Sequence, residues 1–317
     1  MLASFLFILL GLALLLAGGE LLVRGAAALA RQLGIPSLLV GLTVVAFGTS
    51  APELVVTIQA VAGGQGGIAM GNIIGSNTAN ILLVLGVPAL VSAISMATPR
   101  LRRHAVVMLL ATAAFCGFVY LRGAIDTLAG LVLLGGIVAY IALIAADARR
   151  GDSDLAAEVE DMTPGEASGF KTAAFLLLGL VGLPVGANLL VSNGSAIAAE
   201  LGVREEVIGL TIVAFGTSLP ELATVFAAAL KREADVAVGN VIGSNIFNLL
   251  FVGGVAGLVG TSTFSPAAET LDIPVMVVAT LLLAALVFAR GRIGLLLGLI
   301  MAAAYVVYIV FISRAAI

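Results

Sequence analysis

GLTVVAFGTSAPEL at 41–54 and GLTIVAFGTSLPEL at 209–222 are identical at twelve of fourteen positions. A second block follows each at the same distance, GNIIGSNTAN at 71–80 and GNVIGSNIFN at 239–248. The offset is 168 residues in both blocks, with no gap. Each copy sets one carboxylate, Glu53 or Glu221, in an otherwise apolar segment. The similarity extends upstream, where GGELLVRGAAALARQLGIP at 18–36 aligns with GANLLVSNGSAIAAELGVR at 186–204. A duplicated acid in an apolar chain points to cation handling inside a membrane.

Composition agrees. Hydrophobic residues make up 61% of the chain, charged residues 10%, and mean hydropathy is +1.21. Soluble domains hold about 45–50% apolar and about 25% charged residues. The lone Cys116 excludes an internal disulfide or cysteine-based metal site, and the lone His104 excludes a histidine cluster. No basic stripe with interleaved aromatics is present, which excludes nucleic acid as a partner. The N-terminus lacks a basic n-region, so the first apolar segment is expected to be a retained helix.

A spanning helix needs about 20 apolar residues. Ten such segments are expected, near 2–23, 37–61, 68–94, 104–121, 126–146, 170–198, 205–229, 235–260, 270–289 and 292–313. The fold class is therefore an all-α polytopic membrane protein with two five-helix halves, 1–146 and 170–317, joined by an acidic linker at 147–169. Five is odd, so the second half enters the membrane from the opposite side, as an inverted-topology repeat. Alternating the loops puts Arg24, Arg31, Arg100, Arg102, Arg103, Arg149, Arg150, Lys171, Lys231, Arg232, Arg290 and Arg292 on one side. Only Arg122, Arg204 and Arg314 fall on the other. Basic residues concentrate in cytoplasmic loops. Both termini are expected outside a cell (inner) membrane, with the linker cytoplasmic.

On a helix, Thr49 and Ser50 lie four and three residues before Glu53, so their oxygens share its face. Thr217 and Ser218 repeat this before Glu221. Pro52 and Pro220 lack an N–H and clash with the carbonyl four residues back, interrupting each helix near Gly48 and Gly216. Asn72, Ser76 and Asn80 are spaced by four, as are Asn240, Ser244 and Asn248. Hydroxyl, amide, carboxylate and backbone oxygens suit hard cations such as Ca²⁺ and Na⁺. An acidic side chain at the centre of a membrane helix costs about 2.5–3.5 kcal/mol on insertion scales. Asn72 and Asn240 serve either ligation or helix–helix hydrogen bonding. Glu20 and Arg24 are expected to pair structurally, and Asp126 and Asp272 to cap helices. The chain lacks a paired-Asp, His-Glu-x-x-His or Ser–His arrangement on its apolar segments, so an enzyme is not expected.

The two pairs of blocks resemble the alpha-repeats of the sodium/calcium exchanger family, within the calcium/cation antiporter superfamily, and their length and halves are similar to its prokaryotic members. That resemblance implies an antiporter exchanging Na⁺ for Ca²⁺ in a lipid bilayer, without a cofactor, and is compatible with a monomer. It implies that Glu53 and Glu221 are the central shared carboxylates, with Thr49, Ser50, Thr217 and Ser218 beside them. It further implies outer ligands in the backbone carbonyls of Ala46 and Ala214, flanking ligands in Ser76 and Ser244, and a mid-site polar pair in Asn80 and Asn248. Several family members, including potassium-dependent ones, carry Asp where this chain has Asn248. The proton-coupled branch shows an acid soon after its Gly-Asn pair, where this chain has serine. H⁺-coupled exchange through the same carboxylates, and a passive cation channel, are the alternatives.

Overall fold

The computed structural model describes residues 2–35, 37–98, 100–149, 169–201, 214–264 and 268–315. Most of the acidic linker and the segment 202–213 lie outside the described residues. With them go the expected starts of the seventh membrane helix and of the second GLTIV block. The described residues form twelve helical pieces and two short ribbons. The first half holds α1 (Leu2–Leu33), the bent pair α2 (Ser37–Thr49) and α3 (Ala51–Ala62), α4 (Gly66–Leu90), α5 (Leu101–Arg122) and α6 (Thr127–Arg149). The second holds α7 (Gly169–Glu200), α8 (Ala214–Thr217), α9 (Leu219–Leu230), α10 (Ala234–Val259), α11 (Ala268–Phe288) and α12 (Leu295–Ala315).

Eight of these helices are long and apolar enough to cross a membrane, and the α2–α3 pair, bent by 42°, makes a ninth span. α8 and α9 are the described part of the tenth. The apolar helices α4 and α10 form the centre, with 83% of the most apolar stretch of each buried, against 22% for α7 and α12. Helices at the rim keep apolar side chains exposed because lipid, not protein, faces them.

Among the described residues the inverted two-fold extends further than the sequence similarity shows. Strand β1 (Ile94–Ser95) pairs antiparallel with β4 (Arg292–Ile293), matching Ile94 to Ile293 and Ser95 to Arg292. Adding 168 to one partner and subtracting it from the other yields the second ribbon. There β2 (Ala124–Ile125) pairs with β3 (Ser262–Thr263), matching Ile125 to Ser262 and Ala124 to Thr263. Glycine contacts obey the same rule. A Cβ added at Gly298 would lie 2.7 Å from the Gly86 carbonyl oxygen, and one at Gly130 would lie 2.7 Å from that of Gly254. Between α1 and α7, a Cβ at Gly11 would lie 2.8 Å from the Gly186 oxygen, and one at Gly179 would lie 2.9 Å from that of Gly18. In lipid, helices associate through dispersion contacts and close backbone approach, which these glycines allow.

Several expectations are corrected in detail. α1 ends at Leu33, ten residues beyond the expected 23, because nothing in Arg24–Gln32 breaks a helix. Glu20 does pair with Arg24, at 2.6 Å, and Lys231 of the α9–α10 turn joins it at 2.7 Å. Asp126 caps α6 by accepting the Ala129 N–H at 3.0 Å. That bond, with the Arg122 guanidinium next, holds its carboxyl below the usual range. Asp272 is not a cap: it accepts the Tyr308 hydroxyl at 2.9 Å. Its repeat mate is His104, which meets Tyr140, the mate of Tyr308, at 3.3 Å. His104 is thus a buried structural partner at a duplicated helix–helix contact.

The glycine contacts predict opposite outcomes at two positions. A Cβ at Gly257 would sit 2.5 Å from the Asp126 carbonyl and 2.9 Å from the Gly130 Cα, whereas one at Gly135 meets nothing within 4 Å. Gly257→Ala is expected to destabilise by about 1–3 kcal/mol. Gly135→Ala is expected to be neutral or stabilising by up to about 1 kcal/mol. Thermal unfolding in detergent reads both.

Candidate ion-binding site

Each motif helix breaks at one serine. Ser50 (φ −84, ψ 4) separates α2 from α3, and Ser218 (φ −87, ψ 3) separates α8 from α9. The break falls two residues after the glycine, not at it. Pro52 and Pro220 occupy the first turns of α3 and α9, where a missing N–H costs nothing to the new helix. Their missing donors leave the carbonyls of Gly48 and Gly216 without the usual helical partner. The glycines also admit α7: a Cβ at Gly48 would fall 2.0 Å from Leu180, and one at Gly216 would fall 2.0 Å from Val191.

Glu53 and Glu221 therefore lie in the first turns of α3 and α9, and both are fully buried. The carboxylates are within electrostatic reach of each other. The Ser50 hydroxyl, three residues before Glu53, donates to Glu221 Oε1 at 3.3 Å, so the two repeats meet at their acids. Among the described residues, neither carboxylate has an ion-pair partner. Both oxygens of Glu53, and Oε2 of Glu221, are buried without a hydrogen bond. Uncompensated buried charge of this kind costs several kcal/mol per ion. No group of three or more His, Cys, Asp or Glu residues gathers among the described residues, so any cation here must rely on neutral oxygens as well.

Those oxygens are close at hand. Thr49 and Ser50 are buried, as is Ser218, whose hydroxyl has no partner. Thr217 is half-buried at the end of α8. The Ala46 carbonyl accepts the Ser50 N–H at 3.1 Å and the Thr49 hydroxyl at 3.4 Å. Ala214 begins α8, yet the Ser218 N–H turns to the Phe215 carbonyl at 3.2 Å. Short helices ending at Thr49 and Thr217 turn partial negative charge toward the break. The crossing helices α4 and α10 bring buried Ser76, Ser244, Asn80 and Asn248. Asn80 Oδ1 and both amide atoms of Asn248 lack partners.

Asn77 and Asn245 escaped the four-residue spacing, although GSN stands in both copies. They are repeat mates lying on the two-fold: Asn245 Nδ2 donates to the Asn77 carbonyl at 3.3 Å. Asn245 Oδ1 also accepts from Asn80 Nδ2 at 3.1 Å, which leaves the Asn80 oxygen turned away and open. The mirrored bond from Asn248 to Asn77 is not formed, and Asn77 Oδ1 is unpartnered. Asn72 donates to the Glu53 carbonyl at 3.1 Å and to Thr57 at 2.9 Å, so its role here is helix–helix bonding.

Two broken helices crossing at paired acids, inside an inverted repeat, define a secondary transporter of the kind whose substrates bind near the membrane midplane. The family model described as "Sodium/calcium exchanger protein" matches residues 3–146 and 171–314. The chain belongs to this family, which comprises transporters and not enzymes. It is 39% identical to the putative antiporter CaxA of Alkalimonas amylolytica, over 92% of each chain. It is 31% identical to the sodium/calcium exchanger MaX1 of Methanosarcina acetivorans, over 97% of each. Structures of the sodium-calcium exchanger NCX_Mj match at a TM-score of 0.84 and 31% identity, covering 98% of both chains. The chain is a multi-span membrane protein with the ten-helix fold of that family.

One prediction follows from the axis. Asn245→Leu removes the acceptor for Asn80 and the donor to Asn77 while keeping the side-chain shape. Each group left unsatisfied costs about 1–3 kcal/mol. A lowered unfolding temperature in detergent is expected, together with weaker Ca²⁺ binding as the Asn80 amide loses its anchor.

Proposed function

We propose that this protein expels Ca²⁺ in exchange for Na⁺ by alternating access. The observation that carries this reading is the pair of fully buried carboxylates, Glu53 and Glu221, with no protein cation against them. The ligands in this reading are those two acids with Thr49, Thr217, Ser50, Ser218, Ser76, Ser244, Asn80, Asn248 and the carbonyls of Ala46 and Ala214. One Ca²⁺ or two Na⁺ neutralises the acids. An empty site keeps two uncompensated charges and resists enclosure, because burial in low dielectric strengthens their repulsion and strips their water. Only a loaded site then crosses, which makes the movement an exchange and not a leak. Sodium is favoured over protons because Ser76 and Ser244, four residues after Asn72 and Asn240, stand where the proton-coupled branch shows an acid.

Asymmetry between the repeats supports alternating access. α1 packs along α9, where a Cβ at Gly19 would lie 2.7 Å from the Ala223 carbonyl. Its repeat mate α7 does not pack along α3. Ala51, Val55, Gln59 and Ala62 consequently form an exposed face on α3, and Val55 is 51% exposed. The equivalent contact, Val55 with Ala187, is open. With both termini outside and the linker cytoplasmic in a cell (inner) membrane, α3 runs from the site toward the exterior. The pair α1–α7 then closes the inner half and leaves the outer half accessible. The Lys231–Glu20 bridge holds the closed side; exposed ion pairs contribute about 0–1 kcal/mol, so it yields readily.

Reconstituted vesicles test the reading. An outward-directed Na⁺ gradient is expected to drive Ca²⁺ uptake, and a pH gradient alone is expected to drive none. Glu53→Gln or Glu221→Gln is expected to abolish the flux; normal exchange in both variants contradicts the site. In a Cys116→Ala background, Val55→Cys with Ala187→Cys is expected to cross-link only when Na⁺ and Ca²⁺ permit turnover. Absence of a cross-link under every ion condition contradicts the proposed movement.

A further inference from the structure

We infer that Asn240 is a positioning residue that turns two hydroxyls, one from each repeat, into ion-facing acceptors. The inference rests on the antiporter reading above and assigns a residue outside its ligand set. Asn240 is fully buried on α10. Its Oδ1 accepts the Thr49 hydroxyl at 3.2 Å and the Ser244 hydroxyl at 3.4 Å. Thr49 comes from the first repeat and Ser244 from the second.

The chemistry follows from the inventory of a hydroxyl: one proton and two lone pairs. A hydroxyl that spends its proton on Asn240 has only lone pairs left to present elsewhere, which is what a cation requires. An amide oxygen has two lone pairs, so one Asn240 Oδ1 takes both protons at once. The Thr49 proton has two other acceptors in reach, the Glu221 carboxylate and the Ala46 carbonyl, 3.4 Å away. Drawing it toward Asn240 relieves that carbonyl, itself a proposed ligand. One amide therefore sets the direction of three oxygens without touching the ion.

The repeats show why this falls to Asn240 and not to Asn72. Asn72 is pinned through its Nδ2 by the Thr57 hydroxyl and the Glu53 carbonyl. The repeat mate of Thr57 is Val225, which offers no acceptor. Asn240 Nδ2 is accordingly buried without a partner, and the amide is committed through its oxygen alone. A buried donor left unsatisfied costs about 1–3 kcal/mol. That cost is borne at this one asparagine of the pair, beside the acids.

Calorimetric titration of the purified full-length protein with CaCl₂ tests the assignment, using Asn240→Leu, Thr49→Val with Ser244→Ala, and the combined triple variant. Asn240→Leu is expected to weaken Ca²⁺ binding about tenfold, the equivalent of one hydrogen bond. In the Thr49→Val, Ser244→Ala background the same change is expected to cost less than about twofold, because coupled residues are non-additive. Full loss in that background, or binding of Asn240→Leu within about twofold of wild type, overturns the inference. If the leucine variant does not fold, Asn240→Asp carries the test: it keeps acceptor oxygens, so binding at least as tight as wild type is expected, and loss of binding overturns the inference. A wild-type protein that binds no Ca²⁺ overturns the antiporter reading, and this inference with it.

Discussion

Two carboxylates in a dry protein interior, with no positive side chain against them, set the terms for everything else in this molecule. Glu53 and Glu221 are fully buried, and three of their four oxygens have no hydrogen-bond donor. A charged acid is costly in a membrane helix, and two within reach of each other are costlier. The fold tolerates them by breaking the helices that carry them. The serine breaks, the prolines just after them and the glycines just before them convert each helix into two half-helices whose ends converge. The Ser50 hydroxyl of one repeat then reaches the Glu221 carboxylate of the other, and the proposed ligand set draws its remaining oxygens from both repeats.

The two-fold is what brings those oxygens together. Its effect is visible far from the acids, in the matched ribbons at 94–95 with 292–293 and 124–125 with 262–263, and in the glycine contacts 86–298 and 130–254. Departures from it carry the functional content. α1 covers α9 while α7 leaves α3 open. Lys231 bridges Glu20, whereas the corresponding positions are Gly63 and Asn188. Asn245 holds Asn80, while Asn77 and Asn248 stay apart. The proposed alternating access rests on this combination of a symmetric frame with asymmetric contacts.

Much of this was legible in the chain. A 168-residue offset without gaps revealed the duplication, and its odd helix count per half implied inversion. The position of Pro52 beside Glu53 implied a broken helix. Side-chain periodicity found Ser76 with Asn80 and Ser244 with Asn248. It could not find Asn77 and Asn245, because their importance comes from lying on the two-fold axis, a property of tertiary packing. Nor could it separate Asn72 from Asn240: their local contexts match, and the difference arises from Thr57 against Val225, fifteen residues upstream on a neighbouring helix. Asp272 reads as a cap for the same reason, since a helix start looks like one until Tyr308 comes from another helix. Polar Arg24, Arg31 and Gln32 read as a loop, but nothing among them breaks a helix and α1 packs along α7.

Anomalous diffraction from crystals equilibrated with Ca²⁺ or Sr²⁺ tests the central claim most directly. The account predicts one dominant peak between α3 and α9, with carboxylate oxygens of both Glu53 and Glu221 at about 2.3–2.6 Å for Ca²⁺. A peak that touches only one of the two acids, or that lies away from both, would contradict it.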